Sequence, residues 1–232
     1  MANPDTKKIE RCVRALRASH DELGHLIESN PQAAFEVLDR ARNQLYDLVS
    51  AFDDTLPATL KLVEPSDGMP ISGVEVPKEL YWILGPPTPL AGMKYPRPGF
   101  PWQSLKNAGF SRVVSLHPGS YDPAPLETCF AEQLQDLIGG GPPANQLNEK
   151  AKIKKAVSAA VAAWRSGQGV VVHCVGGRGR SGTVLGCVLR ELGCAPANAI
   201  SFLDRVHKAR GKPGWPESPW QSSLVENWET DA

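Results

Sequence analysis

The chain has 232 residues, with 25 basic and 25 acidic side chains, a formal net charge of zero and five cysteines. That length suits one sizeable domain with an appendage, and the balanced charge provides no global field toward nucleic acid or an anionic membrane. The odd set of cysteines (Cys12, Cys129, Cys174, Cys187 and Cys194) shows no paired spacing, which speaks against a disulfide scaffold and for a reducing compartment. No basic-then-apolar leader opens the chain and no apolar run reaches membrane-spanning length, so a cytoplasmic protein without membrane insertion is expected.

Residues 1–60 differ from the rest. Ile9, Cys12, Val13, Leu16, Leu23 and Ile27 recur at helical spacing, and the pattern restarts after Ser29-Asn30-Pro31, a cap followed by proline at the first helical position. Phe35, Leu38, Ala41, Leu45, Leu48, Val49 and Phe52 form the second stripe. An antiparallel helical hairpin is expected, each arm carrying one apolar face. Those faces must be covered, either by the main domain or by a dimer or other partner. Residues 61–79 read as a linker or wrapping segment, because periodic apolar positions are few there.

From residue 80 to residue 232 strands alternate with helices. Leu80 to Leu84 is a first strand, Trp102 to Ala108 a short helix stopped by Gly109, and Arg112 to Leu116 a second strand. Asn148 is read as the cap of a long helix that passes through Trp164 and ends at Gly167. Val170-Val171-Val172 is a buried strand, followed by helices from Ser181 to Leu192 and from Pro196 to about Arg210. The expected class is α/β, a mostly parallel central sheet with helices on both faces, preceded by the helical hairpin. Ligands of such sheets bind at the carboxyl ends of the strands.

At that end of the valine strand stands His173-Cys174-Val175-Gly176-Gly177-Arg178-Gly179-Arg180-Ser181-Gly182-Thr183. A strand that feeds a glycine-rich turn into a helix start makes an anion cradle from inward-pointing amides and the positive helix end. A cysteine at its entrance favours the thiolate, the nucleophilic form. Arg180 offers a planar fork that matches two phosphate oxygens. Val175, Gly176, Gly177, Arg178, Gly179 and Arg180 are the candidate phosphate-binding residues, and Cys174 is the candidate nucleophile. A Walker A loop is excluded because no lysine stands in the turn.

The chemistry also needs a proton donor for the leaving oxygen. Asp136 is the candidate, since the glycines and prolines of Gly139-Gly140-Gly141-Pro142-Pro143 after it suit a hinged loop; Asp122, before Pro123, is the alternative and also reads as a turn-former. Ser181 is read as a hydrogen-bond donor to the Cys174 sulfur, easing its departure, and equally as a helix cap. His173 reads as a residue that fixes the loop, not as one that transfers protons. No metal and no cofactor are called for.

The Cys174-x5-Arg180-Ser181 arrangement, with His173 before it and the Gly177-x-Gly179 pair inside it, resembles the signature of protein tyrosine and dual-specificity phosphatases. Leu90-Ala91-Gly92-Met93 with Pro96, and Gly109 to Leu116, resemble further segments of the dual-specificity group, so the likeness spans roughly residues 80–228. The likeness implies a compact domain hydrolysing phosphomonoesters through a phosphocysteine, with a phosphorylated protein as substrate. It also implies that Gln221 helps position the hydrolytic water and that Cys129, Cys187 or Cys194 are candidates to protect Cys174 as a disulfide partner; spacing favours core roles for the last two. Arg178 adds a second cation, which leaves open an acidic or multiply phosphorylated substrate, a phosphoinositide included. A catalytically inactive phosphate-binding scaffold is the reading from another class, and the intact Cys174, Arg180, Ser181 and Asp136 argue against it.

Overall fold

The computed structural model describes residues 6–26, 29–52, 60–65 and 76–230. Residue Ile27 and the side chains of Ile9, Phe35, Leu48, Val49 and Phe52, assigned above to the apolar stripes, lie outside the description, as do residues 66–75 of the expected linker. The hairpin is formed by α1 (Thr6–Leu26) and α2 (Pro31–Phe52). The phosphatase-like part follows as β1 (Tyr81–Leu84), β2 (Leu90–Met93), α3 (Trp102–Asn107), β3 (Phe110–Ser115), β4 (Glu127–Ala131), α4 (Gln146–Arg165), β5 (Gly169–His173), α5 (Gly179–Glu191), α6 (Pro196–Ala209) and α7 (Pro219–Glu226).

The five strands lie in the order β1-β2-β5-β3-β4, with β2, β5, β3 and β4 mutually parallel and β1 antiparallel at one edge. β5 is central and buried along its whole length, which is what its uninterrupted valines require. Alternate side chains divide between two cores. Val170 and Val172 face the layer built by α4, α5, α6 and α7, where Ile153, Leu185, Phe202 and Val225 pack. Val171 faces the other side, with Trp82, Met93, Trp102, Leu105 and Phe110 beneath α3. The period-two pleat therefore reads directly onto helices on both faces.

Four elements differ from the sequence expectation. β2 and β4 were not marked as strands. Leu90-Ala91-Gly92-Met93 has no β-branched residue, and β4 is a half-exposed edge, so neither carries strong strand chemistry; neighbours recruit them. The α4 cap is Asn145, whose Oδ1 accepts from the Asn148 amide at 3.0 Å, so Asn148 is the donor to the cap and not the cap. α7 adds a helix, opened by Ser218 and Pro219 in a capping box closed by Gln221.

The hairpin packs on its own domain, α2 lying against α6. Val37 and Ala34 are buried there, and Lys208 Nζ meets Asp39 Oδ2 at 2.9 Å. The short described piece of the linker wraps β1: the Val63 amide donates to the Ile83 carbonyl at 3.0 Å and Leu60 is buried.

Truncating the fully buried Phe202 to alanine is expected to cost about 3–5 kcal/mol. The same truncation at Leu147, 84% exposed, is expected to stay within about 0.5 kcal/mol. Urea denaturation of the two variants checks both.

Candidate active site

β5 ends at His173 and α5 begins at Gly179, so Cys174 to Arg178 form the turn between a buried strand and a helix start. Cys174 is 2% exposed, and the Gly177 amide donates to its sulfur at 3.2 Å. Gly177 takes φ +66°, and a Cβ there would stand 2.5 Å from the Lys94 amide nitrogen and from the Met93 carbonyl carbon. Conformation and close approach both demand glycine at that position. The Tyr95 amide donates to the Val175 carbonyl at 3.0 Å and fastens the other limb of the turn. The Gly182 amide closes the first helical bond onto the Arg178 carbonyl at 2.7 Å. The result is a turn fastened on both limbs at a helix N-terminus, with the Gly177 amide and the positive end of the helix beside the sulfur.

Arg180 and Asp136 meet although 44 positions apart. Arg180, 5% exposed, donates from Nη2 to Asp136 Oδ2 at 2.6 Å and from Nη1 to the Leu134 carbonyl at 3.3 Å. The acid loop is held at both ends. Buried Glu149 accepts from the Gln135 amide at 2.8 Å, its carboxyl raised by burial against the opposing effect of that amide. Ser218 Oγ donates to the Gly141 carbonyl at 2.8 Å, and Gly140 turns with φ +78°. Asp122 does not join them: its carboxylate accepts from the Ala124 amide at 2.9 Å in an exposed turn, the local bond expected of a turn-former.

The supporting residues have distinct surroundings. His173 is fully buried, with the Tyr121 hydroxyl bonded to its Nε2, and burial lowers its pKa to about 4. It is therefore neutral at physiological pH and braces the turn. Ser181 is fully buried, and its hydroxyl does not hydrogen-bond the Cys174 sulfur, in contrast to the expected Ser181–sulfur contact. Helical geometry explains this: Ser181 follows two α5 residues and points beside the buried Tyr81 hydroxyl, while the Gly177 amide takes the sulfur. Gln221 is 1% exposed and its Oε1 accepts from the Glu217 and Ser218 amides at 2.8 and 3.2 Å. Arg178 is committed to the α6–α7 connection, Nε donating to the Gly214 carbonyl at 2.5 Å and Nη1 standing 3.6 Å from Glu217. Gly176 has open space where a Cβ would be.

None of the five cysteines is joined in a disulfide. Cys187 and Cys194 are fully buried core residues, and Cys129 Sγ donates to the Val113 carbonyl at 3.4 Å. Among the described residues no cluster of His, Cys, Asp and Glu could hold a metal ion, and no helix is long and apolar enough to cross a membrane.

Sequence reasoning missed several residues that shape the site. Trp215 is 1% exposed behind the turn, its Nε1 donating to the Gly179 carbonyl at 3.3 Å. Glu217, Ser218, Glu149 and Tyr81 carry no motif, and only the Ser218-Pro219-x-Gln221 cap was a readable signal. Ser218 and Trp215 act across 77 and 36 residues, and Glu149 across 14.

A mostly parallel sheet that delivers a Cys-x5-Arg turn onto a helix start is the architecture of the dual-specificity-like protein tyrosine phosphatase superfamily. The family model described as the Swiss Army Knife protein, DSP-PTPase phosphatase domain (PTP-SAK) matches residues 77–213, and the chain belongs to that family. Among solved structures, the chain is similar to kinase associated phosphatase (KAP), at 17% identity and TM-score 0.48, over 66% of this chain and 95% of that one. It is also similar to the core catalytic domain of the PP-IP phosphatase SIW14 from S. cerevisiae, at 14% identity and TM-score 0.49, over 68% and 90%. A third similar structure is P. aeruginosa TpbA, at 18% identity and TM-score 0.44, over 76% and 93%.

The Ser218 hydroxyl both caps α7 and ties down the acid loop, and two variants separate the roles. Ser218→Thr keeps donor and acceptor and is expected to retain turnover of an aryl phosphate. Ser218→Asp keeps the cap but cannot donate to the Gly141 carbonyl, and is expected to lower kcat about tenfold or more through a misplaced acid loop. Steady-state kinetics with thermal midpoints for both variants checks this. A second expectation concerns acid. His173 and His207 have pKa values lowered to about 4 and about 3 by burial, so the unfolded chain binds protons there that the folded chain does not. Stability contributed at these sites is therefore lost as pH falls below about 6.5, by up to about 1.4 kcal/mol per pH unit for each histidine. Urea midpoints between pH 7 and pH 5 for the wild type and His207→Gln measure it.

Proposed function

We propose that this chain is a cysteine-dependent phosphatase that hydrolyses phosphomonoesters through a phosphocysteine, with phosphotyrosine in protein as its substrate class and phosphoserine or phosphothreonine as a further one. The observation that carries the reading is the meeting of three groups from distant parts of the chain: Cys174 bonded by the loop amide of Gly177, Arg180 at the helix start, and Asp136 brought to the Arg180 guanidinium at 2.6 Å.

In the first step the Cys174 thiolate attacks phosphorus and the phosphorus–oxygen bond to the alcohol or phenol breaks. The leaving oxygen takes the proton of the Asp136 carboxyl. The loop amides and the Arg180 fork hold the equatorial oxygens, where charge accumulates. In the second step water attacks phosphorus, the phosphorus–sulfur bond breaks, and the water proton passes to the Asp136 carboxylate. The sulfur leaves as a thiolate that the Gly177 amide stabilises. Gln221 donates no oxygen to this step, because its Oε1 is held by two amides; its amide nitrogen remains the group that can meet the water.

An aryl ester is favoured by the apolar groups beside the two reacting ones. Val175, next after Cys174, is 46% exposed, and Ile138, two residues after Asp136, is 77% exposed. Both are large hydrophobic side chains that a ring can cover.

Cys174→Ser is expected to abolish turnover of an aryl phosphate and of a phosphotyrosine peptide in metal-free buffer, and undiminished turnover would sink the proposal. Asp136→Ala is expected to slow aryl-phosphate turnover by about two to four orders of magnitude, with a smaller loss on esters whose leaving group needs no proton. A phosphoinositide hydrolysed faster than the phosphopeptide, measured side by side, would move the substrate class to lipids.

A further inference from the structure

Arg178 stands inside the phosphate turn, where an unpaired guanidinium would draw a second phosphate beside the first. Its partners prevent that. Nε donates to the Gly214 carbonyl at 2.5 Å and Nη1 lies 3.6 Å from Glu217 Oε1, with side-chain exposures of 21% and 14% for the pair. Glu217 is itself fixed, its amide donating to Gln221 Oε1 at 2.8 Å. Its second carboxylate oxygen lies against the Cα of Gly179, filling the place a Cβ would take. The carboxyl is raised by burial first, and Asp136 raises it further, while Arg178, Arg180 and the Gly179 amide oppose. Two further cations reach the turn. Lys94 pairs with Glu79 at 3.2 Å, and Arg210 lies 4.2 Å over the Tyr81 ring while donating to the Gly177 and Glu79 carbonyls at 3.4 Å.

Resting on the phosphatase reading above, we propose that Glu217 is a specificity-determining residue. It neutralises Arg178 and sets a carboxylate on the flank of the phosphate turn, so that the site accepts an isolated phosphomonoester and turns away substrates with a second phosphate next to the scissile one. The discrimination is made by repulsion: a second dianion meets Glu217 where it would otherwise meet Arg178. Glu217 lies beyond residues 77–213, the range matched by the family, so this device belongs to the segment that follows it.

The test compares kcat/KM on a phosphotyrosine peptide with that on the same peptide carrying an adjacent second phosphotyrosine, and on soluble short-chain phosphatidylinositol monophosphate with that on the bisphosphate. The wild type is expected to favour the monophosphate of each pair. Glu217→Gln keeps the shape and removes the charge, and is expected to raise the bis-to-mono ratio about tenfold, the effect of one charge contact. Adding Arg178→Met to Glu217→Gln is expected to cancel the gain. A ratio that stays within about twofold in Glu217→Gln, or a wild type that prefers the bisphosphate, overturns the proposal. Should Glu217→Gln fail to fold, judged by its thermal midpoint, Glu217→Ala decides. Its bis-to-mono ratio is expected to rise about tenfold, and a ratio within about twofold of the wild type overturns the proposal. Activity surviving Cys174→Ser would defeat the phosphatase reading instead, whereas intact cysteine chemistry with an unmoved ratio defeats only the role of Glu217.

Discussion

The approach of β2 to the phosphate turn at Gly177 is the constraint on which the rest of the site depends. The chain there comes so near Met93 and Lys94 that no side chain fits, and the backbone must also turn left-handed. Because β2 runs parallel to β5 with Met93 opposite His173, the sheet register itself brings the two segments together. The turn is thus clamped between a strand end and a helix start, and its amides point inward without further reorganisation. A mobile turn of the same composition would have to order itself around each phosphate. Here that ordering accompanies folding of the sheet.

The α6–α7 connection then joins the two halves of the chemistry. It is anchored by Asp204, whose carboxylate accepts from the Trp215 amide at 3.1 Å and meets Lys208 at 3.0 Å. From that anchor Trp215 braces Gly179 from behind, Gly214 and Glu217 hold Arg178, and Ser218 reaches the acid loop at Gly141. Trp220 adds a bond to Gln146 at the start of α4, at 3.0 Å. One short segment therefore sets the position of the Cys174 turn relative to the loop that carries Asp136, the kind of support that would hold the proposed reacting groups in place.

Charge is confined to where it is used. Behind the turn, His173 and His207 are kept neutral by burial, and burial raises the Tyr81 and Tyr121 phenols, so none of the four carries charge at physiological pH. Arg180 and Arg178 each meet a carboxylate, Asp136 and Glu217 respectively. In the proposed chemistry the first pairing sets the candidate acid beside the candidate phosphate-binding cation, and the second occupies the Arg178 guanidinium. The hairpin stands apart from this arrangement and reaches the domain through α6, with the Lys208–Asp39 pair at the contact.

Much of this was legible beforehand because it is written in contiguous residues. The valine run, the glycines, Cys174 and Arg180 are neighbours in sequence, and local rules of pleat, turn and helix dipole act over that range. The glycines and prolines after Asp136 likewise marked a turning loop, and Asp136 itself is a residue that the structure brings to Arg180. Strands β2 and β4 were not legible, since β2 has no β-branched residue and β4 is a short, half-exposed edge, and both pair where β5 and β3 offer an edge. The Cys174 sulfur accepts from the Gly177 amide and not from the Ser181 hydroxyl, and the position of Gly177 rests on its approach to β2. The sequence by itself determined the sheet-turn-helix cradle, its cysteine and arginine, and the need for an upstream acid. Only the tertiary structure decided that Arg178 is tied to Gly214 and Glu217 and that Ser218 holds the acid loop. Contacts spanning 36 to 77 residues have no local signature, and they arise only when separate elements close around one core.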